Sequence, residues 1–137
     1  MVNYSYNYLK DITRYKGINF YLFLCYYLQG KMLRKPERKL WYLIKENTPE
    51  ILWNRVETTT INGFPDLLGC HQNCGFFTVE LKVSNRSKIK LSPHQIAWNY
   101  NHALKGGKCF IIATPLEQTT LNIYGGRQSI DISNNIH

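Results

Sequence analysis

Asp66, Glu80 and Lys82 are the residues of this chain whose types and spacing can do chemistry. They lie in "GFPDLLGCHQNCGFFTVELKV" (residues 63–83), which is apolar strand material outside a central loop. If the two apolar runs pair as a hairpin centred on Asn73, Asp66 falls opposite Glu80. Side chains alternate along a strand, so Glu80 and Lys82 share a face. A cross-strand separation of about 5 Å brings Asp66 to the same place. Adjacent carboxylates repel, and both stay ionised only beside a cation. Lys82 supplies one positive charge and a divalent metal supplies more. Mg²⁺ prefers oxygen ligands, keeps several waters, and binds through one or two carboxylates plus phosphate oxygens. The arrangement suits metal-assisted phosphodiester hydrolysis, in which the metal activates water and offsets charge at phosphorus. The competing reading is a buried salt bridge between Lys82 and the two acids, a costly cluster to choose for stability alone.

The elements that must position these residues are legible in outline. "LRKPERKLWYLIKEN" places Pro36 in the first turn of a helix, with Glu37 at its positive end. Leu40, Trp41, Leu43 and Ile44 recur there at helical spacing. "NTPE" (47–50) ends that helix, and "WNRVETTTING" (53–63) alternates like a strand. "DLLGC" and "GFFTVELKV" predict the next two strands, with residues 71–74 as their loop. "SPHQIAWNYNHALKGG" predicts a helix with Ser92 as N-cap, Pro93 in its first position, and Gly106 and Gly107 at its close. Its expected buried stripe is Ile96, Tyr100, Ala103 and Leu104. "KCFIIAT" (108–114) reads as a buried strand, and "LNIYGG" adds a possible further one. The order αβββαβ predicts an α/β (α+β) fold, a mixed sheet flanked by helices.

The string "GFPDLLG…GFFTVELKV…KLSPHQIAW…GGKCFIIAT" resembles the PD-(D/E)xK nuclease superfamily. It is most similar to the VRR-NUC branch and to small phage and Holliday-junction-resolvase-like nucleases. The similarity covers about residues 37–114. It implies a restriction-endonuclease-like core and a Mg²⁺- or Mn²⁺-dependent endodeoxyribonuclease that leaves 5′-phosphate and 3′-hydroxyl ends. It implies that Asp66, Glu80 and the Leu81 carbonyl bind metal, and that Lys82 orients the attacking water. Gln95 matches a glutamine placed near the site at the start of the following helix, although Ser92-x-x-Gln95 is also a capping box. A helical glutamate completes the metal site in such families. Glu37 matches it, and Glu57 is the alternative. Relatives of this size act as homodimers, since two strands of a junction need two sites. No small-molecule cofactor is implied. Tyr100 misses the position of a QxxxY motif, which falls on Asn99, and reads as core.

Charge and composition agree with a nucleic-acid partner. The formal net charge is +8, and 44% of the 137 residues are hydrophobic, enough for one domain with a core. Between Leu81 and Leu116 stand Lys82, Arg86, Lys88, Lys90, Lys105 and Lys108, with no acidic residue. Arg86, Lys88 and Lys90 are the expected phosphate contacts beside the site. With no separate DNA-reading element and short loops, recognition of branched or junction DNA is expected over base sequence. The rival reading is a non-catalytic nucleic-acid-binding module on the same fold, against which the intact Asp/Glu/Lys set argues.

Cys25, Cys70, Cys74 and Cys109 form no disulfide framework, which predicts a reducing, intracellular and cytoplasmic setting. Cys70-His71-x-x-Cys74 is half a zinc pattern without a second half, so it reads as ordinary hairpin. His71, His94 and His102 read as surface or loop residues. Residues 1–31 form an aromatic-rich extension whose apolar run, 18–30, is short of the roughly 20 residues of a membrane span. It is expected to cover the domain or its dimer mate through Phe20, Leu22, Phe23 and Tyr27, or to precede a true start at Met32. The nuclease domain is expected over 32–126, with a frayed tail at 127–137.

Overall fold

The computed structural model describes residues 36–84, 88–116 and 120–134. The expectations for 1–31, for Met32 and for Arg86 lie outside the described residues. Helix α1 (Pro36–Asn47) leads into β1 (Leu52–Arg55), β2 (Leu67–His71) and β3 (Gly75–Ser84). Helix α2 (Pro93–Leu104) is followed by β4 (Cys109–Pro115) and β5 (Asn122–Gly125). A 3₁₀ turn (Gly126–Gln128) and a short helix α3 (Ser129–Ser133) follow. The five strands form one sheet in the order β1-β2-β3-β4-β5. All neighbours are antiparallel except β3 and β4, which run parallel. A parallel pair needs a crossover, and α2 provides it. This is the expected mixed sheet with flanking helices, a restriction-endonuclease-like α+β fold with one more strand and a terminal helix.

The apolar pattern of α1 packs as its spacing predicts: Leu40, Trp41, Leu43 and Ile44 are all buried. The last carbonyls of the helix are capped by side chains, since Asn47 Nδ2 donates to Leu43 O and Thr48 Oγ1 donates to Ile44 O. Trp53 Nε1 in turn donates to Thr48 Oγ1 at 2.8 Å, tying β1 to the end of α1. Edge-to-face contacts run from Trp41 through Trp53 and Phe77 to Phe110 beneath the helix. On β3 the residues Phe77, Val79 and Leu81 face this cluster. A second cluster of Ile89, Leu91, Ile111, Ala113 and Ile132 fills the α2 side of the sheet.

Three expectations are corrected. The strand expected over 53–63 stops at Arg55. Thr58 Oγ1 accepts from the backbone N–H groups of Thr60 and Ile61, so a side chain replaces the ladder partner and turns the chain. Helix α2 is rotated relative to its expected stripe. Asn99 is fully buried, whereas Leu104 is 48% exposed and Ile96, Tyr100 and Ala103 are half-buried. Gln95 is tied to the sheet, so the residue one turn on from it takes the centre of the interface. The tail expected to fray instead folds back as far as residue 134. Ile132 is buried and Ser129 Oγ donates to Ile96 O of α2. Among the described residues no helix is long and apolar enough to cross a membrane.

Candidate active site

The β2–β3 register pairs Leu67 with Val79 and His71 with Gly75, the alignment centred on Asn73. Continued by one residue, it sets Asp66 across from Glu80. Two backbone-directed bonds hold Asp66 there. Its carbonyl accepts from Val56 N at 2.8 Å, and its Oδ2 accepts from Leu81 N at 2.8 Å. Glu80 faces the α2 side of the sheet and is 1% exposed. Its Oε1 lies 3.1 Å from Lys82 Nζ and accepts from Gln95 Nε2 at 2.5 Å. Its Oε2 is buried without a hydrogen-bond partner.

Gln95 fills both roles that its position allows. Its Oε1 accepts from Ser92 N at 3.0 Å, while Ser92 Oγ accepts from Gln95 N at 3.2 Å, which completes a capping box. The amide nitrogen is left to donate to Glu80. Loop and helix are further joined at Gly63, whose φ is +79°. A Cβ there would stand 2.3 Å from the carbonyl oxygen of His94, so only glycine lets the loop carrying Asp66 approach the first turn of α2 so closely.

Burial pushes the Glu80 carboxyl up to about 7. The charge of Asp66 adds to the rise, Lys82 opposes it, and Glu37 contributes a smaller upward push. Glu37, in the first turn of α1, is therefore within electrostatic reach of the cluster. Glu57 is not gathered there: its side chain is 83% exposed and lies 3.7 Å from Arg55 Nε. Lys88 and Lys90 are exposed on either side of buried Ile89, in the segment leading to Ser92.

Asp66, Glu80, Lys82 and Gln95 are thus brought together. Among the described residues no three His, Cys, Asp or Glu side chains converge on one point, so a metal at this site would rest on the carboxylate pair. That suits Mg²⁺, which takes one or two carboxylates and completes its shell with waters and phosphate oxygens. The unpartnered Glu80 Oε2 is the acceptor such an ion would occupy. His71, expected at the surface or in the loop, is the buried last residue of β2. Its Nδ1 accepts from Asn73 N and closes the hairpin turn. Asn99 escaped the sequence reading, although its place four residues after Gln95 was a usable signal. Its Nδ2 donates to Gln95 O at 2.9 Å, below the residue that touches the acid.

The structure matches that of Hjc, a Holliday junction resolvase from the archaeal hyperthermophile Archaeoglobus fulgidus, with a TM-score of 0.50. The two share a fold. Identity is 11%, and the match covers 66% of this chain and 75% of Hjc, so the likeness speaks to architecture and not to activity. No family model matches the chain, and no curated protein does.

Proposed function

We propose that this chain is a metal-dependent nuclease that hydrolyses DNA phosphodiester bonds, acting on branched or junction DNA. The observation that carries this reading is the buried Glu80 carboxylate. One of its oxygens is held by Lys82 and Gln95, and the other is left without a donor beside Asp66. A carboxylate held for stability alone would have its second oxygen satisfied. An unsatisfied one next to a second acid is a place for a cation.

Asp66, Glu80 and the Leu81 carbonyl would hold Mg²⁺ or Mn²⁺, with Glu37 reaching the ion only through water. When bound, the ion supplies Lewis acidity at the phosphate. The protein groups do the rest. Gln95 fixes the rotamer of Glu80 from one side, and Lys82 fixes it from the other. Lys82 Nζ, held 3.1 Å from the acid, orients the attacking water and offsets the charge that grows on the phosphate oxygens. Lys88, Lys90 and Arg86 bind flanking phosphates. Cutting both strands of a junction takes two such sites, so the working unit is a homodimer.

The test is cleavage of labelled junction, flap, duplex and single-stranded DNA with Mg²⁺, Mn²⁺ or EDTA, by the native chain and by Asp66→Asn. Cleavage of branched substrates with metal, abolished by EDTA and by Asp66→Asn with DNA binding retained, is the expected result. Binding without cleavage under any metal would replace the nuclease with a binding module. Full activity in Asp66→Asn would remove the assigned site.

A further inference from the structure

Three aromatic rings outside the acid cluster form a column that the proposed reaction does not use. On α2, Trp98 and His102 lie one turn apart with ring centroids 3.8 Å apart and planes 15° from parallel. His102 Nδ1 sits 2.8 Å from Trp98 O. A carbonyl can only accept, so Nδ1 carries the proton and the imidazole is locked flat on the indole. Phe64 meets Trp98 edge-on, with centroids 5.2 Å apart and planes at 61°. Phe64 and Trp98 are half-buried, and His102 is exposed at the end of the column.

The column begins beside the candidate active site. Phe64 is two residues before Asp66, and Trp98 is three residues after Gln95. At about 1.5 Å of rise per residue, Trp98 and His102 lie about 4.5 and 10.5 Å along the helix axis from Gln95. That is about the length of three stacked bases at ~3.4 Å each. Helix α2 carries no acidic residue. Lys105 follows His102 by three positions, on the same side of the helix, and Lys88 and Lys90 precede the helix. A rigid, exposed ring face on a helix without acidic residues, flanked by lysines, suits one ligand chemistry. A base stacks on the ring while its phosphate passes the lysines.

We propose that the Phe64–Trp98–His102 column is a stacking platform for an unpaired nucleobase of the substrate, and that it gives the protein its preference for strands leaving a duplex. This rests on the nuclease reading of the neighbouring site. Base pairs in a duplex hide their faces from such a platform, so only unpaired nucleotides use it.

The test is binding by the full chain in EDTA, where cleavage does not intervene. One DNA carries a single-stranded flap, and a fully paired duplex of equal length is the comparison. His102→Ala removes the exposed ring without touching the core, and His102→Phe keeps a flat ring. Stacking contributions of the usual size make the loss for His102→Ala about fivefold or more on the flap. The duplex should be unaffected and His102→Phe close to the native chain. Quenching of Trp98 emission by a short oligothymidine, lost in Trp98→Phe, is the second readout. Equal affinity of native chain and His102→Ala for the flap, with no quenching, would overturn the platform and leave the nuclease intact. Failure of the native chain to bind either DNA would overturn both.

Discussion

Gln95 and Glu80 are joined by a 2.5 Å hydrogen bond in which the amide of one donates to Oε1 of the other. The same amide offers its oxygen to Ser92 N, and that bond decides which end faces the acid. Helix start and acid orientation are therefore set by one side chain. Gln95→Glu separates them. A glutamate keeps the capping box but sets a like charge against Glu80. Thermal unfolding near pH 6 should stay close to that of the native protein. Cleavage should fall about 10- to 100-fold, the usual cost of removing a group that orients a metal ligand. A fully active Gln95→Glu would show that the bond to Glu80 is idle.

Glu80 also makes stability depend on pH. Its carboxyl ionises at about 7 in the fold against an ordinary 4.5, chiefly through burial. Below pH 4.5 folded and unfolded chains both carry the proton, and the group has no effect. Between 4.5 and 7 the unfolded chain loses the proton first, so stability falls as pH rises, by an amount on the order of 3 kcal/mol above pH 7. Glu80→Gln mimics the protonated form and removes this loss. Denaturation in EDTA should find the variant more stable than the native protein at pH 8 and equal to it at pH 4. Mg²⁺ at pH 8 should restore the native protein alone.

The two candidate helpers of the acid pair differ in place. Glu37 acts on Glu80 electrostatically, and Glu57 stands in solvent near Arg55. Initial cleavage rates should drop about tenfold or more in Glu37→Gln and remain unchanged in Glu57→Gln. The reverse ranking would transfer the role to Glu57, two residues past β1.

Lys88 and Lys90 should act through phosphates alone. Each alanine substitution should weaken binding to every DNA alike and lower the slope of log K against log salt by about one. An unchanged slope in the double variant would assign both to solvent.

The geometry of the candidate site was more legible in the sequence than the chain's edges were. Asp66, Glu80 and Lys82 could be placed because hairpin register and strand alternation are rigid rules, and the observed pairing keeps that register. The capping box and the second role of Gln95 were readable for the same reason: one short motif with two definite partners. Residues 56–62 misled because β-branched threonines favour strands, while the Thr58 hydroxyl competes locally for backbone N–H groups. Asn99 and Leu104 misled because hydrophobic spacing assumes an apolar interface, and the face of α2 that meets the sheet carries the polar residues of the candidate site. The return of residues 126–134 onto α2 depends on Gly126 nesting against the Asn99 carbonyl, a long-range fit with no local signature.

The close seat of Gly63 on the His94 carbonyl divides the loop before Asp66 into two parts with different freedoms. From Gly63 onward the chain is clamped to α2. Outside the clamp, Thr59 to Ile61 form a solvent-exposed tip on half-buried Thr58, whose hydroxyl accepts from the amides of Thr60 and Ile61. The domain therefore offers a graft point next to its chemistry. A recognition peptide put in place of this tip would join the chain ahead of the Gly63 seat and leave that seat on His94 as it is. Exchange of that tip gives one unchanged frame access to new targets.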